Sequence, residues 1–354
     1  MIYKFLIFIF LALILGISQI ASSDYLFNNI NKATLKNKEP KELKGTRIFK
    51  EEIALFDVNK IDSLFIFTVE QDTIFKVFDK DEEHLGSFSR VGRGPGELEL
   101  VTYVPDLRWG NGSVELLIFN QQTLVATTID LMQSIKEEKI VPSKETEFPK
   151  ELRGAMPTDM YMLSDNNFIG TYDDRFYKQL DNKRGGFIYN SETENFELFE
   201  LKNYTVVPNQ LLPSININAR SSKISPDRTK IALAHLYAPV LEVVDIATKK
   251  VKTIYHTDER KTQYRSEDLI DDNLIEYYDF IDVTNDKIYV LYRGEKYSEK
   301  SRDCIIKVFD WEGRLLNEYS ISKKYDLSKF FTDEKNKILY GQSYTKDALY
   351  KFKL

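Results

Sequence analysis

Residues 64–79 have the sequence LFIFTVEQDTIFKVFD, in which two runs of β-branched and aromatic residues flank a short polar segment. Runs of this length bounded by polar residues are typical of paired β-strands. The second run ends at Asp79, and a third strand-like run, HLGSFS, begins at His84. The stretch therefore predicts a unit of at least three neighbouring strands.

Similar units recur along the rest of the chain. The strand that ends at Asp79 is followed, in steps of 51, 60, 55, 65 and 43 residues, by strands that end at Asp130, Asn190, Asp245, Asp310 and Lys353. Each is preceded by a further hydrophobic strand. A period near 50 residues with about four strands per unit is typical of β-propeller blades. We therefore predict an all-β fold, a six-bladed β-propeller domain over residues 45–354.

The two ends of the predicted domain complement each other. The last unit ends at Leu354, one strand short, and residues 47–55, RIFKEEIAL, form a strand-like run with no unit of its own. We expect this N-terminal strand to become the outer strand of the last blade and close the ring, which leaves no long unpaired edge.

Two other architectures fit the sequence less well. The units lack the Gly-His and Trp-Asp signatures of WD40 blades, and the chain has only Trp109 and Trp311. A two-domain chain would divide in the charged connector 133–157. We interpret this connector as an insertion between blades 2 and 3, with a short helix at 131–139.

The N-terminus resembles a targeting signal. After Lys4, residues 5–17 form an apolar run of thirteen residues, FLIFIFLALILGI, which is shorter than the about 20 residues needed to span a bilayer. We predict a signal peptide over 1–23 and a polar lead-in over 24–44. The chain is then exported, to the periplasm or the cell exterior. The alternative is an uncleaved N-terminal tether, the only membrane contact we expect.

Composition excludes several classes of protein. A hydrophobic fraction of 42% with 23 Phe and 21 Tyr indicates a folded chain with a large core. One Cys and three His exclude a disulfide framework and leave little for a metal centre of these ligands. The net charge of -6, with both signs interspersed, argues against nucleic acid as a partner.

A glycine-rich motif follows the first unit. Residues 90–98 are RVGRGPGEL, but Pro95 removes an amide donor and Glu97 adds negative charge, both unfavourable for a phosphate-binding loop. We expect a turn between blades, in which the glycines supply unusual backbone angles.

Two motifs carry a family resemblance. The sequence GRGPGE at 92–97, and Ser225-Pro226-Asp227 followed by two hairpinned strands, resemble the TolB-like six-bladed β-propeller proteins that are abundant among exported proteins of Bacteroidetes. The resemblance covers most of residues 47–354 and implies the fold and export. It implies no substrate, because most sequences of that family are uncharacterised.

The sequence offers no catalytic constellation. It lacks a Gly-x-Ser-x-Gly elbow, and His84, His235 and His256 fall in different units without metal-binding spacing. The acidic pairs at 173–174 and 271–272 show no calcium-loop pattern. Cys304 alternates with Ile306 and Val308 on one strand face, which predicts a small buried residue. We therefore expect no catalytic residue, no metal site and no cofactor.

Long polar and aromatic loops indicate a binding role. In a propeller, the loops between blades and those between the two middle strands open at the same end. We call the residues predicted on these loops the loop rim: Arg93, Glu97, Arg175, Tyr177, Arg220, Tyr237, Arg293, Tyr297 and Tyr344. Tyr and Arg are enriched in binding hot spots. Scattered exposed Tyr and Arg are also ordinary surface residues.

The expected function is therefore a non-enzymatic binding or scaffold propeller that recognises a protein, peptide or glycan through the loop rim. The alternative is a metal-dependent propeller enzyme of the lactonase or sugar-lyase type, with carboxylate or amide ligands at the channel mouth. Those ligands would come from the innermost strands, the least legible part of the sequence, of which 104–107 and 279–283 are the clearest.

Overall fold

A computed structural model describes most of the chain from residue 39 onward. The described residues are 39–49, 55–69, 73–92, 94, 97–98, 106–110, 112–120, 123–152, 157–172, 185–201, 205–206, 219–255, 262–263, 274–296, 303–343 and 345–354. The predicted signal peptide and residues 24–38 of the lead-in lie outside them. The described strands form six antiparallel sheets arranged as a six-bladed β-propeller, so the predicted fold class is confirmed.

Each blade is a meander of neighbouring strands, and its first strand lies beside the central channel. Two short strands precede the blades: β1 (Lys41–Leu43) and β2 (Gly45–Ile48). Blade 1 contains β3 (Leu55–Ile61), β4 (Leu64–Val69), β5 (Thr73–Phe78) and β6 (His84–Arg90). Blade 2 contains β7 (Asp106–Gly110), β8 (Ser113–Asn120), β9 (Val125–Asp130), helix α1 (Leu131–Glu137) and β10 (Pro142–Glu147). Blade 3 contains β11 (Pro157–Met162), β12 (Asn167–Tyr172), β13 (Gly185–Asn190) and β14 (Asn195–Glu200).

The second half of the ring continues the pattern. Blade 4 contains β16 (Arg220–Ile224), β17 (Lys230–His235), β18 (Val240–Asp245) and β19 (Val251–Tyr255). It is flanked by β15 (Thr205–Val206) and β20 (Thr262–Gln263), which pair with each other in parallel. Blade 5 contains β21 (Ile275–Val283), β22 (Lys287–Lys296), β23 (Cys304–Asp310) and β24 (Leu315–Ile321). Blade 6 contains β25 (Leu327–Asp333), β26 (Ile338–Ser343) and β27 (Ala348–Lys353).

The second strand of each blade is buried on both faces. In β4, Phe65 and Phe67 contact the core shared with blade 6, whereas Ile66 contacts the core shared with blade 2. A strand covered on both sides has no solvent-facing positions, so it has a continuous hydrophobic sequence instead of an alternating one. This explains why LFIFTV and its counterparts stand out in the sequence.

Six hydrophobic cores lie between the blades, one at each junction of the ring. The core that closes the ring joins blade 6 to blade 1, where Phe331 and Tyr340 meet Val58 and Phe65. The ring of Phe65 contacts that of Tyr340 edge to face at 5.1 Å. Such aromatic pairs add to the burial energy of the junction.

The N-terminal segment lies along the outer edges of the last two blades. β1 pairs in parallel with β24 of blade 5, and β2 pairs antiparallel with β27 of blade 6. Leu43 is buried in the core between these blades. Residues 41–43 of the predicted lead-in therefore form a strand, since Leu43 packs in an apolar core. The strand expected over 47–55 overlaps β2 at Arg47 and Ile48.

Helix α1 begins at Asp130, whose carboxylate accepts a hydrogen bond from Gln133 N at 2.9 Å and caps the helix. Its buried Leu131 packs in the core between blades 1 and 2. The helix leads into β10, the outer strand of blade 2. The prediction that 133–157 is an insertion between blades is therefore wrong. This segment carries β10, the fourth strand of blade 2, whose polar sequence PSKETE lacks the hydrophobic pattern of a strand.

Candidate functional site

Aspartates on the innermost strands join neighbouring blades around the channel. Asp106 on β7 accepts hydrogen bonds from its own following amide, Leu107 N at 2.9 Å, and from Met162 N of blade 3 at 2.8 Å. Asp282 on β21 likewise accepts from Thr332 N of blade 6 at 2.6 Å. Both aspartates are buried. Hydrogen bonds from backbone amides compensate such burial, so these carboxylates act as links between blades.

Asp57 on β3 makes the equivalent link with a cation. Its carboxylate accepts from Val58 N at 2.8 Å and from the Lys329 ammonium of blade 6 at 2.7 Å. The junction between the last and first blades therefore combines an apolar core with a largely buried ion pair.

Arg228 ties three blades together at the floor of the channel. Its guanidinium binds both oxygens of Asp106 in blade 2, at 2.6 and 3.1 Å. It also donates to the carbonyl oxygens of Met162, at 2.7 Å, and Leu107, at 3.0 Å. The planar fork of an arginine suits such a bidentate contact. Arg228 thereby fixes the turn between β16 and β17 of blade 4 to blades 2 and 3.

The Ser-Pro-Asp turn of blade 4 holds Arg228 in position. Ser225 Oγ donates to Asp227 Oδ1 at 2.6 Å and accepts from the amide of Lys230 at 3.0 Å. The hydrogen bond from Ser225 lowers the pKa of Asp227 below its usual value. The Arg228 backbone has φ +57°, an uncommon left-handed angle that the turn imposes. This motif therefore organises the channel as well as the hairpin.

A cavity of about 1280 Å³ occupies the end of the channel where the first strand of each blade turns into the second. We call it the channel cavity. It is lined by turn residues of blades 1, 4 and 6 and by the ends of the innermost strands of blades 2 and 5. Because successive strands run in opposite directions, the loops of the predicted rim open at the other end. The channel cavity and the loop rim are therefore on opposite faces.

Every carboxylate that lines the channel cavity has a partner. Four of the six form ion pairs: Asp81 with Lys80, Asp106 with Arg228, Asp333 with Lys60 and Glu334 with Lys287. The other two accept from neutral N–H groups, Asp62 from the Trp109 indole and Asp282 from the Thr332 amide. Three lysines of the lining, Lys223, Lys335 and Lys351, form no hydrogen bond or close ion pair within the described part of the chain. Asp62 and Asp282 keep their charge, and Lys223 acts on Asp282 without forming an ion pair. The lining as a whole has seven cationic and six acidic side chains, and these three ammonium groups are the ones without a direct partner among the described residues.

Trp109 lies at the mouth of the channel cavity. Its side chain on β7 is 56% exposed, unusually high for a tryptophan. The indole Nε1 donates to Asp62 Oδ2 of blade 1 at 2.6 Å, which fixes the ring across two blades. An exposed aromatic face held in one orientation is a favourable contact for a ligand.

The proton affinity of Asp282 reflects its burial. Removal from water raises the pKa of this carboxyl above its usual value, while the positive charge of Lys223 and the Thr332 amide act in the opposite direction. A raised native pKa means that the folded chain binds this proton more tightly than the unfolded chain. The contribution of Asp282 to stability therefore falls as pH rises from about 4 through the native pKa.

We expect Asp282→Asn to remove this pH dependence. The amide oxygen can still accept from Thr332 N but carries no charge. The melting temperature of the variant relative to wild type should therefore rise between pH 4 and pH 8, measured by thermal unfolding. Asp347→Asn, which removes an exposed carboxyl from a turn, is the control. A difference between Asp282→Asn and wild type that falls with pH would contradict this account.

Four members of the predicted loop rim are described. Glu97 is exposed and its carboxylate accepts from Gly94 N at 2.7 Å, occupying space that a Cβ on Gly92 would need. The Glu97 carboxylate thus leaves no room for a Cβ at Gly92 or Gly94, whereas Arg93, Pro95 and Gly96 of the motif lie outside the described residues. Tyr237 is buried, with 9% exposure, and so is not the surface contact that was predicted.

The other two are half-buried arginines with partners. Arg220 donates to the carbonyl oxygen of Tyr172 at 3.3 Å. Arg293 pairs with Asp279 at 3.0 Å and donates to the carbonyl oxygen of Leu327. Arg220 and Tyr237 belong to one blade, whereas Glu97 and Arg293 belong to others. The remaining predicted members lie outside the described residues: Arg93, Arg175, Tyr177, Tyr297 and Tyr344.

The two described histidines, His84 and His235, lie in different blades and have different partners. His84 is exposed and bonds Ser87 Oγ at 2.8 Å, while His235 is buried and pairs with Glu242 at 2.9 Å. His256 and the acidic pairs at 173–174 and 271–272 lie outside the described residues. Cys304 is buried, and burial raises its thiol pKa to about 11, so the sulfur is unreactive near neutral pH.

Two features are absent from the described residues. No group of three or more His, Cys, Asp and Glu side chains there could hold a metal ion. No helix in the same part of the chain has the length and apolar character needed to cross a membrane.

The sequence interpretation missed the channel cavity and its main residues, Trp109, Lys223 and Arg228. A signal was present: an aspartate followed by an aliphatic residue recurs as FDV at 56–58, PDL at 105–107, TDM at 158–160 and IDV at 281–283. Each lies on an innermost strand. This repeat would have located the channel and the residues around it.

Comparisons with known proteins identify the fold alone. No protein-family description matches the sequence, and no curated protein matches it. A member of the DUF4221 family from Bacteroides vulgatus ATCC 8482 is 12% identical, with a TM-score of 0.59 over 89% of this chain and 99% of that one. A candidate exported protein from Bacteroides fragilis NCTC 9343 is also 12% identical, with a TM-score of 0.52 over 88% and 94%. A streptogramin B lyase structure is 11% identical, with a TM-score of 0.51 over 88% and 97%.

Proposed function

We propose that this chain is an exported binding propeller, without catalysis of its own, that takes its ligand in the channel cavity. The observation that carries the proposal is Trp109, fixed by Asp62 at the mouth of a cavity of about 1280 Å³. Concave sites with a few oriented polar groups are where propellers and other folds bind ligands.

Export is supported by the sequence of residues 1–23 and by the fold shared with the Bacteroides fragilis protein described as a candidate exported protein. The GRGPGE and Ser-Pro-Asp motifs support a TolB-like relationship within the same proposal. The ligand classes remain a protein, a peptide or a glycan.

The alternative is a metal-dependent enzyme, since a streptogramin B lyase shares the fold. What favours binding is the bonding of the innermost aspartates. Each of these aspartates holds a neighbouring blade: Asp57 through Lys329, Asp106 through the Met162 amide and Asp282 through the Thr332 amide. A metal ligand needs free carboxylate oxygens directed at one point, and these three are engaged at different junctions.

Trp109→Ala tests the proposed site. The exported chain is applied to arrays of defined glycans and peptides, and the strongest ligand is titrated by calorimetry. Loss of a central aromatic contact costs about 2 kcal/mol or more, so affinity should fall at least about 30-fold. Since the indole is mostly exposed, stability should change little.

Glu97→Ala is the matched control, because it alters the opposite face. It should bind like wild type. Equal binding by wild type and Trp109→Ala, or a loss of binding in Glu97→Ala alone, would move the site to the loop rim and overturn the proposal. Absence of any array ligand would overturn it for these ligand classes.

A further inference from the structure

We infer that the channel cavity binds an acidic saccharide, with the sugar acid groups at Lys223, Lys335 and Lys351 and one sugar face on Trp109. The inference rests on the proposed function and narrows it to one ligand class. It is carried by the charge state of the lining, its polarity and the geometry of the indole.

The first argument is charge. All six carboxylates of the cavity are engaged, whereas the three lysines have ammonium groups without close partners among the described residues. They come from two blades, Lys223 from blade 4 and the other two from blade 6. Seven cationic side chains stand against six acidic ones in the lining, and each of the three ammonium groups can pair with an acidic group of a ligand. The ligand is therefore an anion.

The second argument is polarity. Nearly half of the residues that line the cavity are charged. Sites for drug-like ligands are instead mostly apolar, with volumes of about 300 to 1,000 Å³. A wider and strongly polar cavity suits a hydrophilic ligand of several units. This disfavours apolar small molecules and peptides that bind through hydrophobic side chains.

The third argument is the single flat apolar surface. Trp109 is 56% exposed and its ring is held by the bond from Nε1 to Asp62. A pyranose ring offers one face of C–H groups and an edge of hydroxyls, so it can cover the indole while its polar edge faces the charged wall. An acidic peptide would match the lysines but would leave the indole without a rigid, flat partner.

The unengaged cations are lysines, whereas Arg108 and Arg228 are bonded to Glu115 and Asp106. An ammonium group acts as a point charge, so it can pair with a carboxylate from many directions. A guanidinium group instead favours a fixed bidentate geometry. The wall therefore suits carboxylates spaced along a chain of sugar units.

The fluorescence of Trp109 can report binding at the channel cavity. It has two tryptophans, and Trp311 is buried at 7% exposure, so a ligand at the cavity changes mainly the fluorescence of Trp109. The ligands are tetramers of galacturonate, glucuronate and mannuronate. A neutral galactose tetramer and a tetraglutamate peptide are the comparison ligands. Trp109→Phe shows the signal of Trp311 alone.

At least one uronate tetramer should change the Trp109 emission, and its affinity should weaken about tenfold in 0.5 M salt because the contacts are ionic. Lys223→Gln and Lys351→Gln should each weaken it about tenfold, the worth of one charge-assisted hydrogen bond. Lys351→Arg should retain most of the affinity. Lys323→Gln, which removes an exposed lysine at the opposite end, should change nothing.

Each contrary outcome has its own meaning. Equal binding of the neutral tetramer would overturn the acidic requirement, and tighter binding of tetraglutamate would overturn the saccharide class. Both would leave the proposed binding site standing. No response to any uronate tetramer would overturn the inference, while the proposed function would be decided separately by the sensitivity of array binding to Trp109→Ala.

Discussion

A chain that begins at residue 50 is expected to melt about 6 °C below one that begins at residue 39. The shorter chain loses β1 and β2, and with them Leu43 and Phe49, buried between blades 5 and 6 and between blades 6 and 1. Each such side chain contributes about 2 kcal/mol, and in a domain of about 300 residues each kcal/mol shifts the melting temperature by about 1.5 °C. The pairing of β2 with β27 is also lost, which exposes a strand edge.

The chain from residue 39 is the control, because it keeps both strands. A point variant makes the same test without truncation: a Cβ on Gly45 would collide with the Phe352 ring, so Gly45→Val should separate β2 from blade 6. Calorimetry measures both. Melting of the shorter chain within about 2 °C of the control would show that the N-terminal strand does not close the ring.

Arg228→Met is expected to cost about 3 to 5 kcal/mol, because it leaves Asp106 buried without its cation. The guanidinium also satisfies the carbonyl oxygens of Met162 and Leu107. Adding Asp106→Asn removes the unpaired buried charge, so the double variant should recover much of the lost free energy of unfolding. Chemical denaturation of the two single variants and the double variant gives the coupling between the residues.

Arg314→Met is the matched control. Arg314 pairs with Asp310 at the surface, where its side chain is 64% exposed, so its loss should cost less than about 1 kcal/mol. If Arg228→Met costs no more than Arg314→Met, the channel floor is not the junction that we describe. Additive effects of Arg228→Met and Asp106→Asn would lead to the same conclusion.

The sequence predicted the second and third strands of the blades well, and the reason is burial. Residues of β4, β8 and β26 contact cores on both sides of their sheets, so polar residues are nearly excluded and the repeat is visible. Outer strands are harder to recognise because one face is solvated. The strand β10, PSKETE, has no hydrophobic pattern, and tertiary pairing with β9 alone defines it.

The channel cavity could not be predicted from local patterns. Trp109 and Asp62 are 47 residues apart, and Arg228 and Asp106 are 122 residues apart. These contacts exist only once the ring has formed. The sequence showed which residues are polar on the innermost strands, but it did not show which carboxylates are already engaged. That distinction separates Lys223, Lys335 and Lys351, which have no hydrogen-bond or ion-pair partner in the described part of the chain, from the rest of the lining.

The loop rim shows that residue type alone can wrongly predict an exposed, unbonded side chain. Tyr237 has the residue type of a surface hot spot but is buried, and Arg293 is bonded to Asp279 and a carbonyl oxygen. Tyr and Arg serve equally well as exposed contacts and as half-buried links between blades. Residue type alone therefore does not show whether such a side chain is exposed or buried. The position of the neighbouring blade decides it.

The central claim is that the ligand enters at the channel cavity. Hydrogen exchange of the chain, with and without the uronate tetramer that binds most tightly, tests it most directly. We predict slower amide exchange at Trp109, over residues 223–228 and at Lys335, with no change around Tyr237 and Arg293. Protection confined to Tyr237, Arg293 and the loops beside them would place the ligand on the opposite face and contradict the account.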